Sequence, residues 1–299
     1  MRRLYYCQLL SVLFLASGCQ REEISAPKSY KDVKEIYAVL EDVADVQTRT
    51  YLEGTEILWN EGDQIAVCLG NATVNRFSVK SGSEGSAGVV FQKDETYNGE
   101  VSDAALSNNI AWYPFSEFTC TSGDSGYTLE NIVFPVTQNY VPASFAEGAF
   151  PMVAVTKDVA EKEYSFKNVC GAIMIQLKGS GLIRSVSITG NSYEILAGPA
   201  AVSAAYDADP SVEMLEDEST TVTLDCGESG VVLDADVPTS FIIALPPVAF
   251  EEGFVITVTD TWGGARSYVT AKSNPVFRSR IRRMPVLEYN GRMPQEGDY

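Results

Sequence analysis

The strongest constraint on the fold is a long series of short β-type segments separated by turn residues. These segments occupy residues 65–69, 88–91, 110–113, 132–136, 152–156, 172–177, 183–189, 220–224, 241–245, 254–259 and 266–270. Within 185–189 and 255–259 apolar residues alternate with serine or threonine, which places the two kinds on opposite faces of a strand. Many short strands with regular turns predict an all-β protein built from sandwiches or barrels.

Two regions between these segments matter for the organisation of the chain. Val33, Ile36, Leu40 and Val43 have helical spacing, whereas 36–40 also fits a short strand, so both structures stay open there. The polar stretch at 155–162 follows a predicted strand and is the expected domain break.

The N-terminus has the features of a bacterial lipoprotein signal. A positive start and the apolar run 9–16 precede Ala16-Ser17-Gly18-Cys19. The run is too short to span a membrane, which takes about 20 apolar residues. Small residues before a cysteine resemble a lipobox, so we expect cleavage before Cys19 and lipidation of its thiol. The alternative is an ordinary secretory signal with a chance cysteine at this position.

The charge of the chain limits its partners. The formal net charge is −18, and removal of 1–18, which holds Arg2 and Arg3 but no acid, makes it −20. Such a chain is repelled by nucleic acid and by anionic lipid, so no nucleic-acid partner is expected. Apolar residues make up 45% of the sequence, which favours a folded chain.

The sequence lacks histidine, and this excludes whole classes of chemistry. Histidine-based triads and histidine metal sites are ruled out, and no serine lies in a GxSxG context. We therefore expect no enzyme activity, no cofactor and no metal. Once the signal is removed and Cys19 is lipidated, Cys68, Cys120, Cys170 and Cys226 remain. They either form disulfides or are free buried thiols.

Several other groups have a functional and a structural interpretation. Asp207 and Asp209, and the acidic run 216–218, would suit Ca²⁺ but lack EF-hand spacing and are commonly turn residues. Trp112 and Trp262 would stack on sugars, although aromatic residues in strands usually pack in a core. Asp63 after Gly62 is interpreted as a turn residue that accepts backbone hydrogen bonds.

A series of short motifs extends over most of the mature part. In order, they are 48–50, 58–67 (LWNEGDQIAV), 112–114 (WYP), 134–138 (FPVTQ), 150–154 (FPMVA), 166–171 (FKNVCG), 183–190, 196–198, 245–247 (LPP), Phe250, 253–254 and Asp260. In the order and spacing of these motifs the chain resembles the fimbrillin family of lipoproteins, the subunits of type V pili in Gram-negative anaerobes. The resemblance implies two tandem β-sandwich domains of transthyretin-like topology. With the expected break, the organisation is a signal peptide at 1–18, a lipidated tether at 19–34, an N-terminal sandwich at 35–158 and a C-terminal sandwich with a C-terminal segment at 159–299.

The resemblance also implies how such a chain assembles. An arginine-specific protease would cut after Arg49 and free the first strand, and a strand from a neighbouring subunit would take its place. The lost strand would be formed by Ile36, Tyr37, Ala38, Val39 and Leu40. The alternative is that Arg49 is an ordinary surface arginine. The expected role is a stalk, anchor or tip subunit at the outer membrane and cell surface, with other pilus subunits as partners and a contribution to adhesion.

The C-terminal segment 276–289 holds four arginines in an otherwise acidic chain. Its last residues, including Val286, Leu287 and Tyr289, form β-type sequence after a proline. They are either the closing strand of the second sandwich or a donor strand for the next subunit. A different class of function also stays open, a non-polymerising surface lipoprotein that binds glycans or host ligands.

Overall fold

The computed structural model describes residues 33–41, 44–46, 58–215 and 219–291. The strands in these ranges are β1 Glu35–Leu40, β2 Ala44–Val46, β3 Gln64–Cys68, β4 Val74–Val79, β5 Gly88–Lys93, β6 Ile110–Tyr113, β7 Thr119–Gly123, β8 Gly126–Phe134, β9 Thr137–Asn139, β10 Met152–Val155, β11 Glu163–Asn168, β12 Gly171–Ser180, β13 Leu182–Gly190, β14 Gly198–Ala205, β15 Ala208–Met214, β16 Thr221–Asp225, β17 Val231–Val232, β18 Thr239–Leu245, β19 Phe254–Asp260, β20 Ala265–Val269, β21 Arg280–Arg283 and β22 Leu287–Asn290. None of the described residues is helical, which confirms the predicted all-β class. Over this part of the chain, no helix has the length and apolar character needed to cross a membrane.

The first part of the chain closes into a barrel. Its strands follow one another in the order β1, β11, β10, β6, β3, β4, β5, with β5 returning to β1. The open choice between helix and strand at 36–40 is settled as strand β1. The side chain of Trp59 fills the barrel and makes edge-to-face contacts with Phe91, Tyr113 and Phe166 at ring centroid distances of 4.9, 5.2 and 5.4 Å. These aromatic contacts fix the barrel interior.

Three further sheets follow the barrel. The order β18-β12-β21-β2 forms one of them, with β22 also paired to β12. A second has the order β20-β19-β13-β16-β9 with β17 beside β13, and a third has the order β15-β14-β8-β7. The last sheet joins β7 and β8 to strands that come much later in the chain.

The strands β12 and β18 are buried on both faces and contribute to two separate apolar cores. On β12, Ala172 and Met174 lie in the first core, whereas Ile173 and Ile175 lie in the second. On β18, Ile242 lies in the first core and Phe241 lies in the second. A strand covered on both faces needs apolar residues at every position, which explains the continuous apolar runs in these two strands.

The C-terminal segment forms two short strands rather than one. Both β21 and β22 run parallel to β12, with Ile281 opposite Ala172 and Leu287 opposite Leu177. Pro285 lies between them and cannot donate a ladder hydrogen bond, so it separates the two pieces.

Candidate functional site

The predicted site residues divide into those that the structure describes and those that it does not. Cys19 and Arg49 lie outside the described residues, as does the acidic run 216–218. The predicted lost strand corresponds to β1, and the other candidates for strand exchange, Val286, Leu287 and Tyr289, lie at or in β22. The two groups are therefore in different sheets.

The strand β1 is paired along both edges and completes the barrel. It runs antiparallel to β5, with Ile36 opposite Phe91, and parallel to β11, with Leu40 opposite Phe166. We call the space that β1 occupies between β5 and β11 the β1 groove. Removal of β1 would leave the facing edges of β5 and β11 without hydrogen-bond partners, and an exposed pair of such edges is a template for another strand.

Alternate residues of β1 point into the barrel. Ile36, Ala38 and Leu40 are 2%, 0% and 8% exposed, whereas Tyr37 is 43% exposed on the outer face. The Tyr37 ring lies over β5 so closely that a Cβ at Gly88 would collide with its hydroxyl group. The β1 groove therefore contacts its strand on the inner and the outer face.

Charged groups hold both ends of β1. At the start, Lys80 pairs with Glu35 at 2.8 Å, although both side chains are about half exposed and such a pair contributes little stability. At the end, the Glu41 carboxylate accepts a hydrogen bond from the backbone N–H of Asn168 at 2.6 Å and pairs with Arg278. The Arg278 side chain is 18% exposed, so this second contact is better shielded from water.

The sequence after β1 continues into the next sheet. The strand β2 runs parallel to β21, with Asp45 opposite Ile281. Because β1 and β2 belong to one stretch of chain, displacement of that stretch would expose the β1 groove and one edge of β21 together.

The end of the C-terminal segment is integral to the second core. Tyr289 is 3% exposed, and its hydroxyl group donates a hydrogen bond to Oδ2 of Asp260 at 3.1 Å. Burial and the neighbouring Asp260 raise the pKa of Tyr289 to about 12. Val286 is 41% exposed and lies just before β22. A donor role for these residues would require their release from β12.

The four cysteines among the described residues are free thiols. Cys68, Cys120 and Cys170 are buried, and Cys226 is partly buried. Burial raises the pKa of Cys120 and of Cys226 to about 12, and it raises the pKa values of Cys68 and Cys170 as well. The sequence left disulfides and free buried thiols open, and in the structure these cysteines are free thiols.

The residues considered for ligand binding have other roles. Trp112 is 2% exposed and belongs to the first core, which confirms the core-packing interpretation over sugar stacking, whereas Trp262 is 37% exposed. Asp209 pairs with Arg278 at 3.0 Å. Within the described ranges, no three acidic or cysteine side chains form a cluster suited to a metal ion.

Asp63 has the predicted role of a turn residue. Its carboxylate accepts the backbone N–H of Asn60 at 2.7 Å and the hydroxyl group of Tyr113 at 3.1 Å. Burial raises the pKa of Asp63 even though these hydrogen bonds oppose the shift. The side chains of Asp63 and Tyr113 line a cavity of about 510 Å³. Phe145 and Phe150 also line it, and their stacked rings have centroids 4.3 Å apart.

Comparison with known proteins finds solved structures of low sequence identity. No family model and no curated protein matches it. A Bacteroides ovatus protein described provisionally as a cell adhesion protein is 14% identical, with 86% of this chain and 90% of that chain covered and a TM-score of 0.44. A Bacteroides uniformis protein with the same description is 17% identical over 85% and 93% of the two chains, with a TM-score of 0.44.

A third neighbour is the tip fimbrial protein Mfa3 of Porphyromonas gingivalis with a C-terminal truncation. It is 10% identical, with 83% of this chain and 94% of that chain covered and a TM-score of 0.31. The descriptions of these three structures name adhesion or fimbrial proteins.

Proposed function

We propose that this protein is a structural or accessory subunit of a surface type V pilus, assembled by strand exchange. It is exported as a lipoprotein acylated on Cys19, which attaches the precursor to the outer membrane. Its partners are other pilus subunits and an arginine-specific protease, and its position in the filament is that of a stalk, anchor or tip. It contributes to adhesion as part of that filament.

One observation supports this proposal most directly. The strand β1 completes the barrel by pairing with both β5 and β11, and it lies close to the N-terminal end of the described chain. In sequence, Arg49 lies three residues after Val46, the last residue of β2, and ten residues before Trp59. A cut after Arg49 would therefore sever β1 and β2 from the rest of the chain and leave them held only by non-covalent contacts.

Backbone pairing would supply much of the affinity for an incoming strand. An extended segment that enters the β1 groove restores hydrogen bonds on two edges and covers the apolar barrel interior. Release of the cut segment exposes about as much surface as the incoming segment buries. The exchange therefore changes the free energy of each subunit only a little.

We also propose two tandem transthyretin-like sandwiches, at 35–158 and 159–299. The second apolar core supports a C-terminal sandwich, since all of its buried residues lie between Ile173 and Tyr289, whereas the first core draws on both ranges. The pairing of β14 with β8 joins strands from both ranges. Calorimetry distinguishes the possibilities, because independent sandwiches unfold in two transitions and fused ones unfold in a single transition.

The central experiment is N-terminal sequencing of the protein recovered from cells, together with trypsin treatment of the purified precursor. We expect trypsin to give a stable product that begins at Thr50, and we expect ladders on electrophoresis of the pilus material recovered from cells. A stalk subunit would be recovered from cells in the cut form, whereas an anchor would be recovered whole and lipidated. A precursor that stays whole, or that is degraded throughout at the same dose, would contradict the proposal.

The lipid anchor has its own test. Replacement of Cys19 by Ala removes the thiol at the expected cleavage junction, so labelled fatty acid should no longer be incorporated. The matched control is Cys7→Ala, which lies within the expected signal and should leave labelling unchanged. Retention of the label in the Cys19→Ala protein would disprove lipidation at this site.

A second candidate function is a non-polymerising surface lipoprotein that binds glycans or host ligands. The cavity beside Asp63 and Tyr113 favours it, because it combines polar groups with the stacked rings of Phe145 and Phe150. This function predicts a monomer that keeps its lipid and forms no ladders after cleavage. Binding of soluble glycans by such a monomer, lost on Tyr113→Ala, would support this candidate over a pilus subunit.

A further inference from the structure

The inner face of the β1 groove has little space at its centre. Ala38 is fully buried, and its neighbours across the two ladders are Val89 on β5 and Tyr164 on β11. Both of these neighbours are 1% exposed. A larger side chain at this position would have to displace them, because protein interiors are closely packed and overpacking is destabilising. The central inward position is therefore suited to a small residue.

The positions on either side of the centre are suited to larger apolar residues. Ile36 lies opposite Phe91, and Leu40 lies opposite Phe166. Both phenylalanine rings are fully buried and contact Trp59. The inner face of the groove thus has the pattern of an apolar, a small and an apolar residue at alternate positions.

The end of the groove contains donors suited to a carboxylate. Glu41 directly follows the last inward residue and accepts hydrogen bonds from the backbone N–H of Asn168 and from the guanidinium group of Arg278. Asn168 is fully buried, so the loss of Glu41 would remove an acceptor from a buried backbone donor. Arg278 would keep Asp209 and the carbonyl oxygen of Asn168, at 3.0 Å each. A carboxylate is the group that satisfies both donors.

We infer that the β1 groove selects the strand that enters it by two features: a small residue at the central inward position and a carboxylate directly after the third inward residue. The entering strand runs parallel to β11 and antiparallel to β5, as β1 does. This inference rests on the strand exchange proposed above and defines the class of partner that the exchange accepts.

The C-terminal strand of this chain does not have the required pattern. Residues 287–291 would place Tyr289 at the small position and Arg292 at the carboxylate position. A shift of two residues would place Gly291 at the small position but Pro294 at the carboxylate position. Neither register supplies both features, so the groove should prefer a strand from a different protein over the C-terminal strand of a second copy.

Synthetic peptides test the selection directly. The full-length precursor is cut with trypsin, the trypsin is inhibited, and binding of fluorescent peptides is followed by anisotropy. The reference peptide has the sequence of residues 34–43. An Ala38→Leu peptide should bind about tenfold more weakly because it overpacks the barrel, and a Glu41→Gln peptide about tenfold more weakly because it loses a charge-assisted contact. A Val39→Leu peptide, changed on the outer face, is the matched control and should bind within about threefold of the reference.

Two further measurements give the test its discriminating power. When Arg278 of the cut protein is replaced by Gln, the reference and the Glu41→Gln peptide should bind within about twofold of each other, since the interaction that distinguishes them is gone. A peptide with the sequence of residues 286–296 should bind more weakly than the reference peptide to the unchanged protein. Equal binding of all peptides would overturn the selection while leaving strand exchange intact.

The uncut chain supplies the remaining comparison. Ala38→Leu should lower the melting temperature of the intact protein, and Val39→Leu should leave it nearly unchanged. If Ala38→Leu has no effect there, the groove has no small position and the inference is wrong whatever the peptides do. If Ala38→Leu destabilises the intact protein but no peptide binds after cleavage, strand exchange itself is contradicted, and the proposed pilus function fails with it.

Discussion

The hydroxyl group of Tyr289 donates a hydrogen bond to the carboxylate of Asp260 at 3.1 Å and so ties the last described strand to the β19–β20 turn. Asp260 also accepts the backbone N–H groups of Trp262 and Gly264, at 3.0 and 2.8 Å. These three donors are uncharged and Asp260 is 6% exposed, so each of these hydrogen bonds offsets part of the cost of burying a carboxylate.

Loss of the Tyr289 hydroxyl group should destabilise the protein measurably. We expect Tyr289→Phe to lower the free energy of unfolding by about 2 kcal/mol, because a buried carboxylate loses one donor while the ring stays in place. Urea denaturation followed by circular dichroism measures this difference. Tyr193→Phe is the matched control, since Tyr193 is 87% exposed. A loss as small for Tyr289→Phe as for the control would show that the contact contributes nothing.

The same residue makes stability depend on alkaline pH. Tyr289 has a folded-state pKa of about 12, raised by burial and by Asp260, from an ordinary value of about 10. Its contribution is complete below about pH 10, where the folded and unfolded states both keep the proton. It is lost as the pH rises towards 12, because the unfolded chain releases the proton first. Tyr289→Phe should therefore flatten the fall in stability over this range, and an unchanged slope would contradict the assignment.

A second long-range contact joins two sheets through one side chain. The Gln138 amide donates to the carbonyl oxygen of Ala244 at 2.7 Å and accepts its backbone N–H at 3.0 Å. In this way a side chain on β9 satisfies both backbone groups of a residue on β18, as a neighbouring strand would. Gln138 is 3% exposed, so water does not replace it easily.

Truncation of Gln138 should therefore cost more than the loss of an ordinary glutamine. We expect Gln138→Ala to lower the free energy of unfolding by about 2–4 kcal/mol, because it leaves a buried donor and a buried acceptor unsatisfied. Gln92→Ala on the exposed face of β5 is the control and should change the free energy by less than about 0.5 kcal/mol. Equal effects of the two substitutions would mean that the contact with Ala244 is not maintained in solution.

The sequence predicted the local elements better than the contacts between them. Alternation of apolar and polar residues predicted strands such as β13 and β19 because period two is a local property. The parallel pairing of β1 with β11 joins Tyr37 to Glu163 and depends on the whole fold, so no local pattern indicates it. The ion pair between Glu41 and Arg278 is likewise determined by topology.

Part of the candidate site was accessible to sequence reasoning for the same reason. The turn role of Asp63 follows from a short pattern, whereas the pattern at 36–40 fits a helix as well as a strand. Trp112 packs in the first core, which is the usual interpretation of an aromatic residue in a strand. Gln138 lies within a segment that resembles the fimbrillin family, but its partner Ala244 is 106 residues away, and nothing near it in the sequence indicates the contact.

The free thiols lead to a chemical prediction. Because burial raises the pKa values of the four thiols, little thiolate is present at neutral pH. A chain that begins at residue 20 should react slowly with a disulfide reagent when folded and should release four equivalents after unfolding in denaturant. Prior treatment with a reductant should leave that count unchanged. Fewer equivalents before reduction than after it would reveal a disulfide.

Deletion of the C-terminal segment distinguishes a closing strand from a donor strand. Val276, Ile281 and Tyr289 are 2%, 2% and 3% exposed, and β21 and β22 cover one edge of β12. Removal of 276–299 would expose that edge and leave vacancies in both apolar cores. Each lost apolar side chain costs about 2–5 kcal/mol, and the total approaches the whole stability of an ordinary domain, about 5–15 kcal/mol. We therefore expect the truncated protein to be unfolded or to melt at a much lower temperature.

Deletion of 292–299 alone keeps all of β22 and is the matched control, with a melting temperature close to that of the intact chain. If the longer truncation folded with an unchanged melting temperature yet formed no ladders after cleavage, the segment would be a donor strand; if it folded and still formed ladders, it would be neither.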